Sequence, residues 1–166
     1  MLKSLYISNI VLISRAQLDF DSGLVVLTGE TGAGKSMVLD ALALALGARS
    51  DAGLVRHGCE SATVVAEFDH GTEIENLLSE HGIDADDTLT LKRVLSADGK
   101  SRAWINDVPV SLKILKSVGD LCAEIHGQFE NHSLLDSATH ITALDEFGQY
   151  DLSPVRAAYA VMRAAD

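Results

Sequence analysis

The sequence predicts an α/β fold, and three observations lead to this prediction. Short runs in which apolar and polar residues alternate recur along the chain, and this period of two is typical of β-strands. A continuous apolar run at residues 24–28 leads directly into the glycine-rich segment at residues 29–36. Residues 37–46 then show helical apolar spacing, and Gly47 stands where a helix commonly ends. A strand, a glycine-rich turn and a helix in this order form the repeating unit of α/β proteins.

The glycine-rich segment fits the pattern G-x-x-x-x-G-K-[ST] at every position. Glycines let the backbone fold tightly around an anion, and the start of the following helix adds partial positive charge. Lys35 supplies a charge for the β- and γ-phosphates, and Ser36 supplies a hydroxyl for Mg²⁺. We therefore predict a site for nucleotide phosphates rather than a chance turn. Its residues are Gly29, Glu30, Thr31, Gly32, Ala33, Gly34, Lys35 and Ser36.

Composition places the chain among ordinary globular proteins. It has 166 residues, of which 47% are hydrophobic and 22% charged, and this length suggests one domain. No apolar run approaches the roughly 20 residues of a membrane span, and the N-terminus lacks a signal-peptide pattern, so we expect a cytoplasmic protein. Cys59 and Cys122 lack a metal or redox spacing, which predicts reduced thiols.

The formal net charge of −11 argues against a broad DNA-binding face on this chain alone. It leaves room for a small basic patch, or for a DNA surface completed by another chain or segment. No run of lysine and arginine with interleaved aromatic residues appears along the sequence. The single tryptophan, Trp104, is predicted to lie in the core.

Before the glycine-rich segment, alternation over residues 2–20 predicts two or three antiparallel strands, with turns near Asn9 and Ser14-Arg15. A turn at residues 21–23 then leads into the apolar run, which we expect to be a buried strand. In the helix that follows, Val38, Leu42 and Leu46 lie on one apolar stripe.

After the first helix, turn-forming glycine, asparagine and aspartate residues separate the predicted elements. Asp98-Gly99 is a strong hairpin signal, and Asn106-Asp107 is a second turn. Ser111 is suited to cap a helix, and Ser153-Pro154 to begin one. The predicted elements are a polar loop at 48–60, strands at 62–68, 88–95 and 101–105, helices at 72–81 and 112–117, a strand at 121–125, a helical region at 133–147 and a helix from 153.

The motifs in this order resemble the N-terminal head segment of the RecN family, bacterial DNA repair proteins that are SMC-like relatives of the ABC-type ATPases. The resemblance covers nearly the whole chain. The matching segments are 7–10, 27–36, 39–42, 46–49, 54–58, 101–106, 126–128 and 134–135. The implied fold is a P-loop NTPase, specifically the N-terminal lobe of an ABC/SMC-type ATPase head with an antiparallel β subdomain. That lobe would span residues 1–150, and residues 151–166 would begin a coiled-coil helix.

The resemblance also implies functional residues. The phosphate loop would hold ATP and Mg²⁺, with Ser36 and Gln128 as metal ligands. Gln128 would be the Q-loop glutamine, which senses the γ-phosphate. Arg56 stands where SMC-like heads place an arginine near the nucleotide and the DNA-facing surface. Val155, Tyr159 and Met162 have the spacing of a coiled-coil seam.

The implied function is that of the ATP-binding part of an ATPase in recombinational repair of DNA double-strand breaks, cytoplasmic and nucleoid-associated. Its partners would be the C-terminal lobe of the same head, a second head and DNA, with no membrane. The chain lacks a signature loop resembling Leu-Ser-Gly-Gly, so no catalytic residue is assigned and hydrolysis should need the other lobe and head dimerisation. Residues 141–146 superficially resemble a Walker B strand, but Thr142 interrupts the apolar run and helical packing explains the segment better.

Two other functions stay open. A small P-loop kinase would need an acceptor-binding carboxylate soon after the phosphate loop, and Asp51 is a poor candidate. A non-catalytic interaction fragment would bind nucleotide only for stability. A metal site at His126, Glu130 and His132 fits no compact zinc spacing, so loop histidines near a nucleotide pocket are the preferred interpretation.

Overall fold

The structure is a computed structural model, and it describes residues 1–29, 34–125, 141, 144, 145, 147, 148 and 152–164. The chain divides into two compact units, Met1–Ile125 and His126–Asp166. In the first unit the strands are β1 Leu2–Ile10, β2 Ile13–Asp19, β3 Ser61–Phe68, β4 Leu89–Ser96, β5 Ser101–Ile105 and β6 Val108–Val110. Its helices are α1 Lys35–Ala45, α2 Thr72–Glu80 and α3 Leu112–Cys122, with a 3₁₀ turn at Ala52–Leu54.

The strands form one antiparallel sheet in the order β2-β1-β3-β4-β5-β6. Along β3 and β4, buried and half-buried residues alternate without interruption. This alternation follows from the period of two, because successive side chains point to opposite faces of a sheet. One face of the sheet is therefore apolar and covered, and the second face is polar and partly exposed.

The helices cover the apolar face. Helix α1 lies on β1, β3 and β4, and α3 lies on β5 and beside α2. Ala41 and Ala45 are fully buried in α1, so this helix presents small side chains to the sheet. Phe68, Leu78 and Leu89 are also fully buried in the same cluster. Burial of this kind stabilises the unit by about 25 cal/mol for each Å² of apolar surface removed from water.

Turn chemistry explains the hairpin positions. Asn106 and Asp107 have φ values of 45° and 60°, so both adopt the left-handed conformation of a type I′ turn between β5 and β6. Asp98 Oδ1 accepts a hydrogen bond from the Lys100 backbone N–H at 3.1 Å, and Gly99 adopts a φ of 83°.

The structure confirms four predicted elements, each with its ends within one or two residues. These are the strands at 62–68, 88–95 and 101–105 and the helix at 72–81.

The first hairpin turns later than predicted. Strands β1 and β2 are joined through Val11 and Leu12, not at Asn9 or at Ser14-Arg15. Asn9 does adopt a positive φ of 58°, but β1 continues past it and its side-chain nitrogen donates to the Ser61 carbonyl oxygen at 3.2 Å. The asparagine thus fixes a local distortion in the strand instead of ending it.

The prediction of a buried strand at residues 24–28 is wrong in this structure. These residues form no regular element, and Leu24 and Val26 are 93% and 68% exposed. A continuous apolar run becomes a buried strand only where neighbouring strands pair with it and a second layer covers it. Within the described ranges no strand pairs with this segment.

The predicted apolar stripe of α1 does face the core, because Leu46 is buried and Val38 and Leu42 pack against the core cluster. The most deeply buried residues of this helix are Ala41, Leu44 and Ala45.

Two further predictions need correction. Residues 121–125 are not a strand, because Leu115, Val118 and Cys122 continue one helical stripe and α3 runs on to Cys122. Trp104 does not belong to the core. Its neighbours Ala103 and Ile105 point into the core, so the tryptophan lies half-buried on the second face of the sheet.

The second unit contains a helix, α4, at Ser153–Ala164. It begins at the predicted Ser153-Pro154 pair, where the missing proline N–H costs no hydrogen bond. Val155, Tyr159 and Met162 are 67%, 59% and 57% exposed along it. Across the described part of the chain, no helix combines the length and apolar character that crossing a membrane requires.

Arg93 is a fully buried charged side chain in the apolar face of β4. Its cross-strand neighbours there are Val64 and Ala103. Its Nε donates to the Ser101 hydroxyl, whereas Nη1 and Nη2 have no hydrogen-bond partner among the described residues. Burial lowers the pKa of the Arg93 guanidinium from its usual value. An unsatisfied buried donor carries a desolvation cost, so this side chain is a local weakness of the core.

Replacing Arg93 with methionine should raise the free energy of unfolding by about 1–3 kcal/mol, because unpaired buried donors are removed and the chain length is kept. Ser101 would retain its contact to the Val94 carbonyl oxygen at 3.4 Å. Urea unfolding of this chain measures the change. Arg93→Ala, which leaves a cavity, is the control and should be less stable than Arg93→Met. A less stable methionine variant would show that the guanidinium is satisfied in solution.

The crossing of α1 and α3 depends on Gly119. A Cβ atom at this position would lie 2.3 Å from the Leu46 carbonyl oxygen and 2.9 Å from the Leu46 Cα. Both atoms belong to the backbone, so they cannot move aside without displacing the end of α1.

We predict that Gly119→Ala lowers the free energy of unfolding by about 1–3 kcal/mol through overpacking. The direction of the change in unfolding free energy is informative, because helix propensity alone would make alanine stabilising in α3. Thermal and urea unfolding provide the measurement. Ser117→Ala on the exposed side of α3 is the matched control and should change stability little. Equal or greater stability of Gly119→Ala would contradict the close crossing.

Candidate phosphate-binding site

The glycine-rich loop lies between the exposed apolar segment and α1. Gly29 and Gly34 are its described ends, and Glu30, Thr31, Gly32 and Ala33 lie outside the described residues. Gly34 has φ 93° and ψ 0°, a left-handed conformation that disfavours side chains. No atom of the described residues lies within 4 Å of a Cβ placed at Gly34, so backbone conformation is the observed reason for glycine here.

Lys35 closes the loop. Its Nζ donates a hydrogen bond to the Gly29 carbonyl oxygen, which lies six residues earlier in the chain. The side chain is half-buried at the first position of α1. This contact brings the two described ends of the loop together around an ammonium group. The lysine therefore stands where its charge can meet an anion held by the loop.

The start of α1 adds a second source of positive potential. Among the described residues no side chain caps this end of the helix, and no acidic residue lies in its first turn. Backbone N–H groups at an uncapped helix start carry partial positive charge and favour anions. Ser36 lies exposed in this first turn, so its hydroxyl is accessible. The donor set of lysine ammonium, helix N–H groups and serine hydroxyl fits a phosphate with Mg²⁺.

The Arg56 side chain contacts the turn between β1 and β2. Its Nη1 donates to the Leu12 carbonyl oxygen at 2.6 Å and to the Val11 carbonyl oxygen at 3.4 Å. Its backbone N–H donates to the Asn9 carbonyl oxygen at 2.9 Å. The half-buried arginine thus fixes the polar loop against the first hairpin. Its role at a nucleotide stays a prediction.

Several other predicted positions lie outside the described residues, namely Gln128, His126, Glu130, His132 and Glu146. Ile141, Leu144 and Asp145 are helical, which agrees with helix packing rather than a Walker B strand. In the described ranges, no group of three or more His, Cys, Asp or Glu side chains is arranged to hold a metal ion. Asp51 accepts a hydrogen bond from the Gly53 N–H at 2.7 Å and so caps the 3₁₀ turn.

The exposed segment before the loop was not anticipated as a surface. Leu24, Val25, Val26 and Leu27 are 93%, 48%, 68% and 44% exposed. Exposed apolar residues in one contiguous stretch mark a surface that another element covers. The signal in the sequence is the uninterrupted apolar run itself, which needs contacts on both sides. Among the described residues no strand of the sheet pairs with it.

Comparison with known proteins places this geometry in a class. The AAA domain family matches residues 4–134. The fold is similar to the SMC head domain with an extended coiled coil from Pyrococcus furiosus, solved bound to the C-terminal domain of ScpA. The TM-score is 0.67 at 19% identity, over 99% of this chain and 46% of that one. The chain therefore belongs to the AAA domain family, and its fold is the N-terminal lobe of an SMC/ABC-type P-loop head.

Within this class, the sequence resembles the bacterial DNA repair protein RecN. It is 40% identical over 153 residues to RecN of Xylella fastidiosa strain Temecula1, covering 90% of this chain and 27% of that protein. It is 37% identical over 172 residues to RecN of Vibrio cholerae, covering 99% of this chain and 30% of that protein. The chain thus spans less than a third of the length of these curated relatives, as an N-terminal head segment does.

Proposed function

We propose that this chain is the ATP-binding N-terminal part of a RecN-like SMC-family ATPase that acts in recombinational repair of DNA double-strand breaks. The observation that carries the proposal is the loop geometry. The chain carries a complete phosphate-loop sequence, its second glycine, Gly34, is left-handed, and Lys35 Nζ donates to the Gly29 carbonyl oxygen. The similarity to RecN over nearly the whole chain supports the repair role.

The proposed nucleotide contacts follow from the loop and from the family. Residues 29–36 hold the triphosphate through backbone N–H groups and Lys35, while Ser36 and Gln128 contribute oxygen ligands to Mg²⁺. The metal ion, when bound, neutralises phosphate charge. Arg56 is proposed to lie near the nucleotide on the side that faces DNA. Residues 1–150 form the lobe in this proposal, and residues 151–166 begin the coiled coil.

The proposed partners are the C-terminal lobe of the same head, a second head and DNA, in a cytoplasmic, nucleoid-associated protein. The exposed segment at residues 24–27 supports the first of these, because its apolar side chains require a covering element. Phosphoryl transfer needs the metal held from more than one side and a positioned water. Hydrolysis is therefore proposed to need the other lobe and a second head. The kinase alternative is not favoured, since Asp51 is occupied as a cap.

Lys35→Ala should weaken ATP binding by about 10- to 150-fold, the effect of losing a charge-assisted hydrogen bond to phosphate. Titration of a fluorescent ATP analogue in the presence of Mg²⁺ measures this affinity. Lys100→Ala is the charge-matched control, because Lys100 lies exposed in the β4–β5 hairpin beside Asp98. An unchanged affinity in Lys35→Ala would refute the assigned loop.

This chain alone should bind ATP but hydrolyse it at no measurable rate above the uncatalysed reaction. The residues that position the attacking water are proposed to come from the other lobe and a second head. Phosphate release at saturating ATP tests this expectation. Glu146→Gln should leave the result unchanged. Robust turnover that disappears in Glu146→Gln would instead establish residues 141–146 as a working Walker B segment.

A further inference from the structure

The sheet of the first unit has two edge strands, β2 and β6. An edge strand leaves backbone N–H and C=O groups without a partner on its outer side, and these groups can pair with a further strand. Within the described ranges, no strand lies beyond β2 or beyond β6. The two edges differ in length and in chemistry, and this difference decides which of them can pair with another strand.

The β6 edge offers no backbone donor to a further strand. Strand β6 has only three residues, Val108–Val110. The two-residue turn before it makes Val108 a hydrogen-bonded partner of Ile105, so the backbone groups of Val108 and Val110 point toward β5. The middle residue, Pro109, is then the one whose backbone faces outward, and proline has no N–H. A proline at an outward position is a common protection of a sheet edge.

The β2 edge is longer and contains no proline. The Phe20 N–H donates to the Lys3 carbonyl oxygen at 2.8 Å, so the backbone groups of Phe20 point toward β1. Because these groups alternate in direction along an antiparallel strand, Arg15, Gln17 and Asp19 direct theirs away from β1. Among the described residues, no strand lies opposite these outward groups. The β2 edge therefore presents a ladder of donors and acceptors that a second strand can complete.

The sequence of β2 is complementary to itself. In an antiparallel pair with a twofold axis through Gln17, Arg15 lies opposite Asp19 of the second copy, and Asp19 lies opposite its Arg15. All three residues direct their backbone groups outward, so the pairs that they form across the axis are hydrogen-bonded. The same register places Ala16 opposite Leu18 on the apolar face, where both already pack against the core cluster. Backbone, charge and apolar contacts are thus satisfied by one register.

Other registers satisfy fewer of these contacts. Moving the axis by half a residue would set outward backbone groups opposite inward ones, and it would set polar side chains beside apolar ones. Moving it to Ala16 keeps the hydrogen-bond pattern, but it places Arg15 opposite Gln17 and forms no charge pair. Moving it to Leu18 leaves only residues 17–19 of β2 paired with each other. The axis at Gln17 is therefore the favoured one.

The charges on β2 are placed for association rather than for repulsion. Charged residues on edge strands commonly keep sheets apart, and like charges directly opposite each other are destabilising. Here the two charges have opposite signs and lie at equal distances from Gln17, so each meets its opposite across the axis. Both are exposed, and Arg15 Cζ lies 5.5 Å from the centroid of the Tyr6 ring. This cation–π contact holds the guanidinium on the face of the sheet that also carries Asp19.

We propose that the β2 edge is an interaction surface for a second copy of this chain, and that the two sheets join into one continuous sheet across a twofold axis at Gln17. The pair is closed, because each β2 edge is used once and the edges left free are the β6 strands with their prolines. A contact between single strands is smaller than the roughly 1,200 Å² that stable interfaces bury. The association is therefore weak and depends on the concentration of the chain.

The proposed surface is separate from the phosphate loop. Strand β2 ends at Asp19, whereas Lys35 begins α1. The inference uses backbone and charge complementarity and does not rest on ATP binding. Association should occur without nucleotide, and Lys35→Ala should leave it unchanged. Failure of one proposal therefore leaves the other testable.

Sedimentation velocity over a concentration series measures the association of this chain. The measurement is made without nucleotide at about 0.15 M salt, which screens the long-range repulsion between two chains of net charge −11. Arg15→Glu should weaken association by about 5- to 100-fold, because two attractive cross-strand pairs become repulsive, and Asp19→Arg should do the same. The double variant Arg15→Glu/Asp19→Arg should recover most of the affinity, because opposite charges again face each other. Arg102→Glu makes the same charge change at an exposed position of β5 and should have no effect.

Cysteine cross-linking tests the register. In Gln17→Cys the two new thiols meet at the axis, where the Cα atoms are about 5.5 Å apart and a disulfide can form. Ser14→Cys is the control, because its two thiols would be about 20 Å apart along the strands. Mild oxidation should give a covalent dimer of Gln17→Cys, whereas Ser14→Cys should behave like the parent chain, which contains the free Cys59 and Cys122.

Three results would each overturn the proposal. The first is a chain that stays monomeric at every concentration, which would leave the β2 edge to a strand of a different protein. The second is a double charge variant that associates no better than Arg15→Glu alone. The third is equal cross-linking of Gln17→Cys and Ser14→Cys. Circular dichroism verifies that each variant retains its fold.

Discussion

The contact between α1 and the sheet is the constraint on which the rest of the first unit depends. Ala41 and Ala45 are fully buried, so the helix axis approaches β1 and β3 closely. The same helix starts at the lysine of the phosphate loop and ends against Gly119 of α3. Its position therefore fixes both where the loop opens and how α3 crosses. A larger residue at either alanine would displace the candidate phosphate-binding loop and the helix crossing together.

Local chemistry explains which parts of this fold were predictable. Alternation predicted β3 and β4 because both strands have one buried and one partly exposed face. Gly47, Ser111 and Asn106-Asp107 predicted their boundaries because each satisfies a specific backbone need. Residues 121–125 were misassigned because a short apolar run does not distinguish the end of a helix from a strand. The apolar run at 24–28 was misassigned because burial depends on neighbours that lie elsewhere in a chain or outside it.

The candidate site shows the same division. The phosphate loop could be predicted because its residues are contiguous and its chemistry is fixed by the pattern. The attachment of Arg56 to the carbonyl groups of the first hairpin could not, because it joins residues about 45 positions apart. Trp104 was placed in the core on hydrophobicity alone, whereas strand parity places it on the opposite face with Lys92. The alternation of side chains along a paired strand determines which face of the sheet a residue lies on, and composition does not contain this information.

The hydrogen bonds of Arg56 have a consequence for any movement of that residue. Its guanidinium already donates to Val11 and Leu12, and both acceptors are backbone oxygens of a tight reversal of the chain. Swinging the side chain toward a phosphate would release those oxygens and loosen the reversal. By thermodynamic linkage, whatever stiffens the reversal would also hold the arginine back from the ligand to the same extent. The stability of the β1–β2 hairpin would then oppose any contact between Arg56 and a phosphate.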